Sequence, residues 1–124
     1  MEQDYRLAEG DYRFACLVWA NEPLGSGQLV ALANEALGWK KSTTYTVLKK
    51  LCTRGLAQNE NAVVTALVTR DRVRQYDSAA VVDGRFGGSL PAFLTAFAGG
   101  RALSPEDVDE IQSWIDDYRR RNGS

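Results

Sequence analysis

Phe14, Leu17 and Val18 stand at i, i+3 and i+4, and with Leu7 and Tyr12 they predict a helix over residues 7–20. Gly10 weakens its start. Asn21-Glu22-Pro23 ends it, because the residue before a proline leaves the helical region. Ser26 is a fair N-cap for a second helix that carries Leu29, Val30, Ala33 and Leu37 and stops at Gly38. The third helix has the cleanest pattern. Thr44, Val47, Leu48, Leu51 and Cys52 form an unbroken stripe at i, i+3, i+4, i+7 and i+8, from a start near Ser42 to a stop at Gly55. Its opposite face carries Thr43, Tyr45, Thr46, Lys49, Lys50 and Thr53.

After Gly55 the period changes. Residues 62–68 are largely β-branched and follow a polar Asn59-Glu60-Asn61, which predicts two short strands joined by a turn. Residues 70–82 are charged and then rich in Ala and Val, fitting either a fourth helix or a connector, and Gly84, Gly87 and Gly88 break it. Ser89-Leu90-Pro91 opens a short apolar helix with Leu90, Phe93, Leu94 and Phe97, closed by Gly99-Gly100. Ser104-Pro105-Glu106-Asp107 combines an N-cap serine, a proline at the first helical position and acids in the first turn. The last helix then shows Val108, Ile111, Ile115 and Tyr118, and Arg119, Arg120 and Arg121 suit its negative end. Three helices, a hairpin and about three further helices make a mainly α fold with a small β-hairpin. That order is the winged helix-turn-helix over residues 1–70, with the third helix as reader, followed by a helical region over residues 71–124.

With 44% hydrophobic and 25% charged residues, a chain of 124 can build a core without disulfide or metal staples. The absence of histidine excludes a Ser-His-Asp triad, a Cys-His pair and an HExxH zinc site. No Gly-rich phosphate loop follows a strand. Asp116 and Asp117, adjacent on a helix, point about 100° apart and cannot act as a carboxylate pair. The expectation is a protein that is not an enzyme and takes no cofactor or metal. Cys16 and Cys52 form no ligand cluster, and their apolar helical positions predict buried free thiols, which suit a reducing compartment. Trp19 and Trp39 fall at helix junctions as core aromatics. The acidic, polar N-terminus is no signal peptide, and the longest apolar run, residues 14–20, is too short to cross a bilayer. A cytoplasmic protein without membrane insertion is expected.

A net charge of −1 hides a strong asymmetry. All four lysines lie between residues 40 and 50, Arg54 follows, and no acidic residue occurs between Glu35 and Glu60. Such a patch is an electrostatic footprint for nucleic acid. The candidate DNA-binding residues are therefore Lys40, Lys41, Ser42, Thr43, Tyr45, Thr46, Lys49, Lys50 and Arg54. Hydroxyls of Ser and Thr serve base edges or phosphates, a threonine methyl can meet a thymine methyl, and lysines hold phosphates as point charges. Downstream, Phe86, Phe93, Phe97, Trp114 and Tyr118 are more apolar surface than one small helical tail could bury, which predicts a second copy as cover. The candidate dimerisation residues are Phe86, Leu90, Phe93, Leu94, Phe97, Ile111 and Ile115.

Four blocks of the chain, in order, resemble the penicillinase-repressor (BlaI/MecI/CopY) family of transcriptional regulators. Gly10-Asp11-Tyr12-Arg13-Phe14, with Leu17-Val18-Trp19 after it, stands where that family has Ala-Glu-Trp-x-Val and a downstream Trp. The run from Trp39 through Ser42-Thr43-Thr44-Tyr45-Thr46-Val47-Leu48 to Leu51, then Arg54-Gly55, resembles its Trp-Ser-x-x-Thr-Val-x-Thr-Leu-Leu-x-Arg-Leu…Lys-Gly core. Phe86-Gly87-Gly88-Ser89-Leu90 is similar to its Phe-x-Gly-Ser-Leu, and Leu103-Ser104-Pro105-Glu106 to its Leu-Ser-x-Glu. The resemblance implies a homodimer that holds palindromic operator DNA through its winged helices and intertwines its C-terminal helices. It places Thr43 and Thr46 towards the groove and Lys49 and Lys50 near phosphate. It also implies a membrane sensor-protease that triggers cleavage of the C-terminal region, with the scissile bond falling on Ala96-Phe97. Phe97 is kept there, but alanine replaces the family's asparagine. The C-terminal Cys-x-Cys pairs of the copper-responsive members are absent, and Asn61-Ala62-Val63-Val64 departs from the family's Gly-Arg-aromatic wing. The alternative reading is a winged-helix protein-interaction module without specific DNA binding, against which the lysines and Arg54 argue.

Overall fold

The computed structural model describes residues 3–123, in two compact units, Met1–Ala80 and Val81–Ser124. In the first unit, helix α1 (Glu9–Asn21) carries Glu9 and Asp11 in its first turn, where the helix dipole favours acids. It ends where the Glu22 N–H closes on the Val18 carbonyl at 2.8 Å, just before Pro23. It begins two residues later than the apolar spacing predicts, because Leu7 lies in an extended approach. Helix α2 (Ser26–Leu37) has Gly25 rather than Ser26 at its N-cap. The Gln28 side-chain oxygen accepts from the Gly25 N–H at 2.8 Å and satisfies that end. Gly38, at φ 70°, turns the chain left-handed so that its N–H reaches Asn34 O and the Trp39 N–H reaches Ala33 O. Helix α3 (Lys41–Thr53) follows at once and buries Thr44, Leu48 and Leu51, the heart of the predicted stripe.

The hairpin is the element that differs most from expectation. Its strands are β2 (Ala57–Glu60) and β3 (Val63–Ala66), so Asn59 and Glu60 belong to a strand and the turn is Asn61-Ala62. Both turn residues have positive φ, 52° and 63°, the backbone a type I′ hairpin requires. A third strand, β1 (Leu24–Gly25), pairs antiparallel with β3, giving the order β1-β3-β2 in place of a two-stranded wing. Two further bonds tie this sheet to the helices: Ser26 N–H to Ala62 O at 2.8 Å, and Ala66 N–H to the Glu22 carboxylate at 2.9 Å.

The core gathers one face of each element: Phe14 and Val18 from α1, Leu29 and Ala33 from α2, Leu48 and Leu51 from α3, and Leu24, Leu56, Ala57 and Val64 around the sheet. Trp39 stacks on Phe14 with ring centroids 5.4 Å apart, and the Trp19 indole N–H donates to Val68 O at 2.9 Å. Both tryptophans are core-edge residues, part-buried. Cys16 and Cys52 are free and half-buried rather than buried. Burial pushes the Cys52 thiol up from its ordinary value.

Helix α4 (Arg70–Arg85) resolves the ambiguous stretch as helix and runs through Gly84, which the sequence reading takes for a break. One glycine costs a helix about 1 kcal/mol, too little to stop it. The second unit contains α5 (Leu90–Gly100) and α6 (Pro105–Arg121). Ser89 and Ser104 cap them as expected, accepting from Ala92 N–H at 3.1 Å and Asp107 N–H at 3.0 Å. Phe93 packs edge-on to Phe86 and stacked on Phe97, while Trp114 stacks on Tyr118. No described helix is long and apolar enough to cross a membrane.

Candidate nucleic-acid interface

Helix α3 is pinned to the core through Thr44, Leu48 and Leu51, with Tyr45 and Val47 packed half-buried beside them, so the face carrying Thr43, Thr46, Lys49 and Lys50 turns outward. Lys40, Lys41, Ser42, Thr43, Thr46, Lys49 and Lys50 are all exposed. The Thr46 hydroxyl donates to the Ser42 carbonyl at 2.9 Å. Its proton is thereby committed, and towards solvent it offers lone pairs and a methyl group.

Besides Thr46, three of the nine candidate residues have partners inside the protein, all of them outside α3. The Tyr45 hydroxyl donates to Ser26 Oγ of α2 at 3.2 Å, and its ring is half-buried. Lys50 Nζ lies 2.7 Å from the carboxylate of Asp11, whose side chain is only 11% exposed. Burying that carboxylate requires a partner, and Lys50 supplies it. Arg54 turns back to the N-terminal segment, donating from one guanidinium nitrogen to Asp4 O at 3.0 Å and Arg6 O at 2.7 Å. These inward bonds are not readable from local sequence, because the partners lie 19 to 50 residues away. The six others, Lys40 to Thr43, Thr46 and Lys49, are left as one outward surface of hydroxyls and ammonium groups.

Thr44, on the predicted inner stripe, is fully buried there, yet among the described residues its hydroxyl has no hydrogen-bond partner. The wing adds no cation: residues 57–66 hold no Lys or Arg, and Glu60 stands beside the turn.

In the second unit, Leu90, Leu94, Phe97 and Ile115 are exposed, while Phe86, Phe93 and Ile111 are half-buried. Neither α5 nor α6 buries any residue within this chain. Phe93, Leu94, Phe97, Leu103 and Ile111, with Asp107 and Glu110, line an open cavity of about 290 Å³. The Ala96-Phe97 bond sits inside α5, with Phe97 42% exposed.

Three helices, a small antiparallel sheet and a hydroxyl- and lysine-bearing third helix define a winged helix-turn-helix protein, a class that reads DNA with that helix. Residues 11–117 match the family model described as penicillinase repressor, and the chain belongs to that family. A comparison with curated proteins found no match. Membership makes this a DNA-binding transcriptional repressor, from a family that is generally non-enzymatic.

Proposed function

We propose that the protein represses transcription as a homodimer that binds a palindromic operator, residues 1–70 holding DNA and residues 71–124 holding the partner copy. The observation that carries the DNA half is the acid-free outward face of α3. In this reading Thr43 and Thr46 meet base edges, and Ser42 bonds phosphate or base. Thr46, whose proton stays on Ser42 O, accepts from an amino group of adenine or cytosine or packs its methyl on thymine. Lys40, Lys41 and Lys49 take phosphates on either side. Tyr45, Lys50 and Arg54 shape and charge the same surface while their hydrogen bonds go to the protein.

The dimer half rests on α5 and α6 having no fully buried residue in a single chain, with Phe93 and Ile111 only half-covered. Helices with Leu90, Leu94, Phe97, Trp114 and Ile115 in water gain too little to offset the entropy of ordering them. A second copy laid on Phe86, Leu90, Phe93, Leu94, Phe97, Ile111 and Ile115 supplies the missing burial, and two linked readers bind a palindrome with far greater avidity than one. Cleavage at Ala96-Phe97 in response to a membrane sensor-protease would cut α5 through that apolar face and release the operator.

The test is fluorescence anisotropy of the full chain against its own upstream DNA and a scrambled duplex at two salt concentrations, with light scattering for mass. Preferential, steeply salt-dependent binding by a species of twice the chain mass is expected. Weak, equal binding to both duplexes by a monomer would leave a protein-interaction module instead.

A further inference from the structure

Arg54 and Tyr5 join α3 and α4 through the N-terminal segment that precedes the family match. The segment is held to the end of α3 by Gln3 Nε2–H donating to Arg54 O at 2.8 Å and by the two Arg54 bonds to Asp4 O and Arg6 O. Asp4 adds its carboxylate, 3.9 Å from the same guanidinium. Accepting the Arg6 N–H at 2.9 Å, Asp4 is held below the usual carboxylate range, with Tyr76 and Arg54 adding to the effect. From this anchored segment the Tyr5 ring reaches α4: it meets Tyr76 edge-on at 6.0 Å, and the Arg72 guanidinium sits 5.0 Å over its face.

Helix α4 needs such a hold. Val73 is its one buried residue, and a helix fixed at a single point can pivot about it. Arg72 and Tyr76 are one turn apart on one face, so Tyr5 grips the helix across the turn that includes Val73. The same helix continues to Arg85 and so carries the chain into the second unit.

We propose that residues 3–7 form a strap coupling the reading helix to α4, with Arg54 and Tyr5 as positioning residues, and that the strap sets which half-site spacing the dimer accepts. This rests on the dimeric repressor proposed above. A dimer rewards a given spacing only when the joint between reader and dimerising arm is stiff; a loose joint lets both readers reach many spacings. Arg54 is suited to the task because the two N–H groups of one planar guanidinium nitrogen meet two carbonyls in fixed directions, which a lysine ammonium on its flexible stem does not reproduce.

Arg54→Lys and Tyr5→Ala test this in the full chain. The probes are the palindromic duplex that the wild-type protein selects from a randomised pool, copies with the half-sites moved by one to four base pairs, and a single half-site duplex. Amide hydrogen exchange over residues 70–80, without DNA, is the second readout. The strap predicts that discrimination between spacings falls by about tenfold in both variants, out of the roughly 10²–10⁴-fold that linkage can supply, while half-site affinity stays put in Tyr5→Ala, which alters none of the DNA-facing residues. It also predicts faster exchange across residues 70–80, with α1 to α3 unchanged. Arg54→Lys keeps the charge, so a phosphate-binding role for Arg54 would leave spacing preference intact and overturn the proposal. Unchanged exchange in both variants overturns it too, as does equal loss on half-site and palindrome. Should the wild-type protein select no duplex, the dimeric-repressor reading fails, and the exchange measurement still decides whether the strap holds α4.

Discussion

Thr44→Val should stabilise the first unit while leaving DNA binding unchanged. Thr44 is fully buried on the inner face of α3, and its hydroxyl has lost water without gaining a partner. Its own N–H is already bonded to Lys40 O at 3.0 Å. An unsatisfied buried polar group costs about 1–3 kcal/mol, and valine keeps the branched shape while replacing the hydroxyl by a methyl. Some of that gain is lost to imperfect repacking around the methyl, so the expected net effect is about 1–2 kcal/mol. For a unit of this size each kcal/mol raises the melting midpoint by about 4–8 °C. The assay is thermal unfolding followed by tryptophan fluorescence, since Trp19 and Trp39 both lie in this unit and pack at its core. Protein concentration must match between variants, because the proposed self-association would shift the midpoint. The anisotropy titration run alongside should be superimposable. A lowered or unmoved midpoint would refute the reasoning, by showing that the hydroxyl has a partner in solution.

Ala62→Gly should stabilise the wing by about 0.5–1 kcal/mol, because Ala62 holds φ 63° and glycine adopts that region without the Cβ penalty; a lower denaturant midpoint would contradict it. Lys49→Ala should weaken binding to every duplex and lower the salt slope by about one, whereas Lys50→Ala should lower the slope less and reduce stability, since it strips Asp11 of its partner. Equal slopes from both would show that Lys50 leaves Asp11 for phosphate. Cys52, with its thiol pushed up by burial, holds less thiolate at a given pH than a free cysteine. In a Cys16→Ser background, iodoacetamide should therefore label it more slowly at pH 8 than glutathione, the gap narrowing as pH rises. Labelling at the rate of glutathione would count against the burial.

Periodic stripes and local caps made most of the helices legible. Thr44, Leu48 and Leu51 fell on the buried face of α3, and Gly38, Ser89 and Ser104 stood at helix ends through bonds spanning a few residues. What sequence could not supply were features made by distant chain. Strand β1 is two residues that become a strand only because Val63 and Val64 arrive beside them. The hairpin turn moved one step because Ala62, poor in propensity for positive φ, is held there by Ser26 as well as by the sheet. On the reading helix, the outward hydroxyls and Lys49 followed from the stripe. Lys50 and Arg54 carry the same charge as their neighbours, and only the folded chain brings Asp11 and the Asp4 and Arg6 carbonyls within their reach.

In the dimer proposed above, the bare helices of the second unit would tie the amount of folded repressor to the amount made. Below the concentration at which copies meet, α5 and α6 have little to hold them and are open to general proteases. Above it, each copy of that dimer would shelter the other, and turnover would slow as occupancy of the operator rises. A cell using such a dimer would obtain a sharp threshold in gene expression from a chain that buries little when alone, and that threshold would respond to any change in the apolar face spanning Leu90 to Tyr118.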